Sequence, residues 1–144
     1  MLDSRWLVFL AAISGFACVG IGAMGAHSLP KRLLDSGLSE SQVEKKVEQC
    51  ETAVKYQMYH SIAVLVLGIS PATQSRRAWR IACALFIVGM FLFSGGLYSM
   101  VFFNTIGHWS IVPLGGATFM IGWLTLAFGA VFPNNSSLST SKIG

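Results

Sequence analysis

Apolar residues in this chain do not alternate; they run in long blocks broken by short polar stretches. The first block runs from Trp6 to Leu29, between Arg5 and Lys31. As a helix it would measure about 36 Å, enough for a hydrocarbon core of about 30 Å. It is longer than the apolar part of a signal peptide, so it is expected to stay in the protein. Pro30 is expected to stop it, since proline lacks an N–H and clashes with the preceding turn. Residues 30–52 then form a wet loop. In it, Ser39 with Gln42, or Ser41 with Glu44, matches a capping box. Val43, Val47, Cys50 and Val54 mark one apolar helical face, and Glu44, Lys45, Glu48 and Glu51 the opposite one. This piece is expected to lie on the membrane surface and run into the next span.

The second block, 53–70, is the weakest. Lys55, Tyr56, Gln57, Tyr59 and His60 crowd its first turns, and its strongly apolar part is Ile62 to Ile69. Residues 71–80 read as an aqueous turn. The third block covers 81–103, and the fourth covers 111–132, with Pro113 in its first turn and Pro133 at its end. The expectation is an all-α integral membrane bundle of four transmembrane helices, with a short amphipathic helix in the first loop. Residues 1–133 form its single domain, and 134–144 a polar, disordered tail.

Composition agrees with that pattern. Hydrophobic residues make up 53% of the chain and charged residues 11%, where a soluble domain carries about 25% charged residues. No Asp, Glu, Lys or Arg occurs between Arg80 and Lys142. The net charge of +4 sits beside apolar blocks, where basic residues set topology and meet anionic headgroups. The one tight basic cluster, Arg76, Arg77 and Arg80, lacks the interleaved aromatics of a nucleic-acid surface. With four spans, Lys and Arg divide equally between the two sides, and the arginine triplet favours termini in the cytoplasm. Cys18, Cys50 and Cys83 show neither metal-ligand nor disulfide spacing.

Inside lipid, helices associate through small residues that let backbones approach. Gly15, Cys18, Gly22 and Gly25 form such a row on the first span, Gly89, Gly96 and Ser99 on the third, and Gly115, Thr118, Gly122, Thr125 and Gly129 on the fourth. These rows predict a tight bundle, and such a face would also suit a homo-oligomer. Polar groups at membrane depth are costly, so each invites a functional reading. His27 lies near the end of the first span, and Tyr56, Gln57 and His60 near the start of the second, on the same side of the membrane. Gln57 and His60, three apart, and Tyr56 and His60, four apart, share faces. His27 could approach His60, with Ser94 and Tyr98 closing the cluster. An interhelical hydrogen-bond network is the bland account of these residues. Proton handling or ligand binding through the imidazoles is the functional one, and a haem between them a further one.

Four stretches in order carry a family resemblance: Phe9 to Leu29 with Gly22-Ala23-Met24-Gly25-Ala26-His27; Tyr56-Gln57-Met58-Tyr59-His60; Leu92-Phe93-Ser94-Gly95-Gly96-Leu97-Tyr98; and Pro113-Leu114-Gly115-Gly116 leading to Gly122-Trp123. With them the chain resembles the transmembrane protein 256 / YgdD-like family of small membrane proteins. Val112 stands where that pattern has a threonine before the proline, and the first loop is long and highly charged. The resemblance implies a four-helix membrane fold and, in a bacterium, an inner-membrane location; it implies no activity.

The blocks contain no intramembrane carboxylate, metal cluster, phosphate loop or nucleophile motif. A non-enzymatic protein that binds, scaffolds or assists assembly, without a cofactor and with the lipid bilayer as its surroundings, is therefore the leading reading. Transport or a proton-linked channel through the His27–His60 region is the alternative, and a cofactor-binding redox subunit the second.

Overall fold

The computed structural model describes residues 3–103 and 110–132. The expected tail over 134–144 and the link at 104–109 lie outside the described residues. Among those described, every regular element is helical: α1 (Ser4–His27), α2 (Leu29–Asp35), α3 (Glu40–Ile69), α4 (Pro71–Ser75), α5 (Arg77–Phe102) and α6 (Ile111–Val131). Three of them, α1, α5 and α6, are long and apolar enough to cross a membrane. The apolar second block is the C-terminal part of α3, where Lys55, Gln57, His60 and Ser61 dilute the apolar run.

Several boundaries differ from those expected, each for a local reason. The chain breaks at Ser28, and Pro30 opens α2 instead of merely ending α1, since proline fits a first turn whose N–H groups lack helical acceptors. α2 closes on Gly37, at φ +88°. Its N–H reaches Leu34 O at 2.9 Å, and the Leu38 N–H reaches Leu33 O at 3.3 Å. That pairing needs a left-handed residue, which glycine adopts without a Cβ clash. The lead-in expected on the membrane surface is the opening of the 30-residue α3, started by the Ser39 N–H donating to Gln42 Oε1 at 3.0 Å. It stacks on the end of the bundle, where Cys50 packs with Leu29 and Val101. Residues 71–80 hold the short α4, and α5 starts at Arg77, one turn earlier than expected.

The long helices run antiparallel in chain order. From one end of the α1–α3 pair to the other, Gly25 meets Cys50, Gly22 meets Val54, Ser14 meets Ser61, and Gly68 meets Leu7 and Val8. On α5, Ser94 bonds the Ala53 carbonyl of α3. α6 packs on α5 with Gly96 against Val112, Gly89 against Phe119, Gly122 against Phe86 and Gly129 against Ala78. The main core joins Leu7 and Ala11 of α1, Val64 and Leu67 of α3, Ala82, Cys83 and Phe86 of α5, and Phe119 of α6. Large apolar side chains cover the outside: Phe16 is 78% exposed, Phe91 76% and Phe128 62%. Such a surface is stable facing acyl chains and aggregates in water.

Candidate functional site

Two polar clusters meet on α3, on neighbouring faces. The first looks toward α1 and α5. Gln57 Nε2–H donates to Ser14 Oγ at 3.1 Å and to Ser14 O at 3.3 Å. Tyr98 O–H donates to Gln57 Oε1 at 2.8 Å. The Ser61 hydroxyl lies 2.7 Å from both Ser14 Oγ and Gln57 O. Ser94 is buried nearby and donates to Ala53 O at 2.9 Å.

The second cluster looks toward α6. His60 is buried, its ring stacked on Phe119 with centroids 3.5 Å apart. Its Nδ1–H gives to Tyr56 O at 2.8 Å, and its Nε2 accepts the indole N–H of Trp123 at 3.2 Å. Tyr56 is half-exposed and packs on Phe93.

The six candidate residues therefore fall into separate places. Gln57 and Tyr98 are bonded to each other, Ser94 lies beside them, and Tyr56 and His60 belong to the aromatic cluster. His27 is exposed at the end of α1. Gly25, two residues before it, packs on Cys50, about 15 Å along α3 from His60. No described hydrogen bond or ring contact joins the two histidines, and both nitrogens of His60 are engaged elsewhere. Sequence reasoning missed Ser14, Ser61 and Trp123. Single serines in an apolar run give no periodic signal, and neither does one tryptophan in the apolar fourth block.

Of the glycines in the predicted rows, a Cβ on Gly22, Gly25, Gly89, Gly96, Gly115, Gly122 or Gly129 would touch a neighbouring helix. One on Gly15 would meet nothing within 4 Å. Two cations hold helix ends, where carbonyls lack helical donors. Lys46 Nζ donates to Met100 O at 2.8 Å and Val101 O at 3.2 Å, and Arg76 donates to Gly129 O at 3.1 Å.

The Gln57–Tyr98 network forms the floor of a cleft of about 400 Å³ between α1 and α5. Its walls are Leu10, Ile13 and Ala17 on one side and Ile87, Phe91 and Gly95 on the other. A wider trough of about 730 Å³ between α2 and the start of α3 is lined by Glu40, Glu44, Glu48 and Glu51. These glutamates are exposed and form a solvated face. Among the described residues, no group of three His, Cys, Asp or Glu side chains could hold a metal ion.

Antiparallel helices with an apolar outside and polar groups turned inward define a small multi-pass helical membrane protein. A family model described as "Protein of unknown function (DUF423)" matches residues 21–116. The UPF0382 membrane protein of Haemophilus influenzae is 38% identical over 122 residues, 84% of this chain and 90% of that protein. A UPF0382 membrane protein of Staphylococcus aureus is 37% identical over 123 residues, 85% of this chain and 92% of the relative. The UPF0382 inner membrane protein YgdD of Escherichia coli K12 is 35% identical over 133 residues, 90% and 92% of the two chains. No solved structure matches. The chain belongs to this YgdD-like DUF423 family, and it is a multi-pass protein of the bacterial inner membrane.

Proposed function

We propose that this is a non-enzymatic, four-span membrane protein that binds a membrane-resident component in the cleft between α1 and α5. The fourth span is the part of α3 that runs beside α1 from Cys50 to Gly68, about 27 Å of helix. Its polar side chains Gln57, His60 and Ser61 are each hydrogen-bonded inside the bundle. Such partners are what make polar groups tolerable at membrane depth.

One observation carries the binding reading: the Ser14–Gln57–Tyr98 network is half-buried at mid-depth and opens sideways into an apolar cleft. A bundle that only had to pack would place apolar side chains there and close the gap. A concave apolar space with a few convergent polar groups has the make-up of a ligand site, and its volume falls within the usual range of about 300–1,000 Å³. Transport through a His27–His60 pair, or a haem between them, would need the imidazoles to share one space, and the positions of Gly25 and Cys50 give that no support. Among the described residues the apolar helices α1, α5 and α6 carry no carboxylate for acid–base chemistry.

The test is native mass spectrometry of the full chain released from lipid nanodiscs. The reading expects a retained small molecule that disappears in Gly95→Leu, whose side chain would occupy the cleft. A wild-type protein that leaves the nanodisc without any adduct would count against it.

A further inference from the structure

The cleft floor has a hydrogen-bonding polarity, and this gives the occupant a chemical class. Gln57 Nε2 already donates to Ser14, Tyr98 O–H to Gln57 Oε1, and Ser61 O–H to Ser14 or Gln57. The Ser14 hydroxyl is left with the Met90 sulfur at 3.8 Å. What remains is acceptor capacity: the oxygen of Tyr98 and a second lone pair on Gln57 Oε1, since a hydroxyl and an amide oxygen each offer two. No described donor reaches either.

Depth and size narrow the class further. Ser14 sits about 15 Å along a helix about 36 Å long, so the floor lies near the bilayer centre, where a charged headgroup is strongly disfavoured. A slender apolar chain fits a cleft of about 400 Å³ that opens sideways between the two helices. Small residues keep the walls apart: Ala17 on α1 and, on α5, Gly95, at which a Cβ would meet nothing within 4 Å.

Resting on the binding reading above, we propose that the α1–α5 cleft takes an uncharged, long-chain or isoprenoid membrane lipid bearing a hydroxyl, whose O–H donates to the Tyr98 oxygen or to Gln57 Oε1 at mid-depth. The apolar chain lies along Leu10, Ile13, Ile87 and Phe91. The hydroxyl takes up acceptor capacity that no described donor uses.

The test uses the full chain in nanodiscs and a diazirine-bearing hexadecanol as photoprobe, competed by hexadecan-1-ol or by hexadecyl methyl ether, which has the same chain without the donor. The proposal expects crosslinks on α1 and α5, and the alcohol competing about five- to tenfold better than the ether, the difference of one hydrogen bond. Gln57→Leu/Tyr98→Phe, which removes both acceptors, brings that ratio to about one. Gly95→Leu abolishes labelling without touching the core. Equal competition by alcohol and ether on the wild-type protein overturns the hydroxyl class and leaves the cleft a site. Labelling elsewhere on the chain, undiminished in Gly95→Leu, overturns both readings. Conversion of a dimer to a monomer by Gly95→Leu overturns the proposal in favour of a second copy as occupant.

Discussion

Trp123 on α6 gives its indole N–H to His60 Nε2 on α3 at 3.2 Å, and the same imidazole gives its Nδ1–H to the Tyr56 carbonyl at 2.8 Å. His60 is thereby held as the neutral Nδ1–H tautomer, a clip between two helices with both nitrogens committed. Trp123→Phe leaves Nε2 buried and unpartnered, which costs about 1–3 kcal/mol. A lower melting temperature in detergent checks this, as does nitrogen NMR of His60, which should show an unprotonated Nε2 in the wild type.

The glycines divide by what a side chain would meet. A Cβ on Gly115 would run into the Phe93 backbone, and one on Gly122 would come within 2.7 Å of the Phe86 ring. Backbone cannot give way as a flexible side-chain end can, so Gly115→Ala should cost about 1–3 kcal/mol by overpacking. Gly15→Ala, pointing into open space, should be neutral or stabilising by about 0.5–1 kcal/mol, because alanine loses less backbone entropy in a helix. Melting curves of the two variants, measured side by side, decide it; equal losses would contradict the packing described.

Gln57 ties Tyr98 and Ser14 together, so removing it leaves both short of a partner. Gln57→Leu and Tyr98→Phe should each destabilise by about 1 kcal/mol, with the double variant costing clearly less than their sum. Additive losses would mean that the two side chains do not share a bond.

Cys50 should behave as a hindered thiol. It is buried against Gly25, Leu29 and Val101. Iodoacetamide should modify it more slowly in the folded protein than after denaturation, read by mass spectrometry. Equal rates in the two states would contradict that burial.

Much of the helical order was legible in the sequence, because spans that face lipid must be long and apolar. Faces were harder to read. Gln57 and His60 are three residues apart and were expected on one face. The angle of about 60° between them is enough for α1 and α5 to take Gln57 while α6 takes His60. Gly15 continues the rhythm of Gly22 and Gly25, yet the residue that touches α3 is Ser14, one position earlier. Spacing within one helix does not say which neighbour it will meet. Lys46 and Arg76 read as loop charges, and their contacts with the carbonyls of Met100, Val101 and Gly129 join residues far apart in sequence. His27 was expected near His60 because both were placed on one side of the membrane. The registry of Gly25 on Cys50 sets them apart.

The account depends on α3 crossing the bilayer, since only then do Gln57, His60 and the cleft floor lie at membrane depth. Thiol accessibility of Ser41→Cys and Ser75→Cys, two exposed positions beyond the opposite ends of that span, tests this most directly. With Cys18, Cys50 and Cys83 replaced by alanine, an impermeant maleimide applied to intact spheroplasts should label Ser41→Cys, and Ser75→Cys only after permeabilisation. Labelling of both positions from the same side would contradict the four-span arrangement and everything built on it.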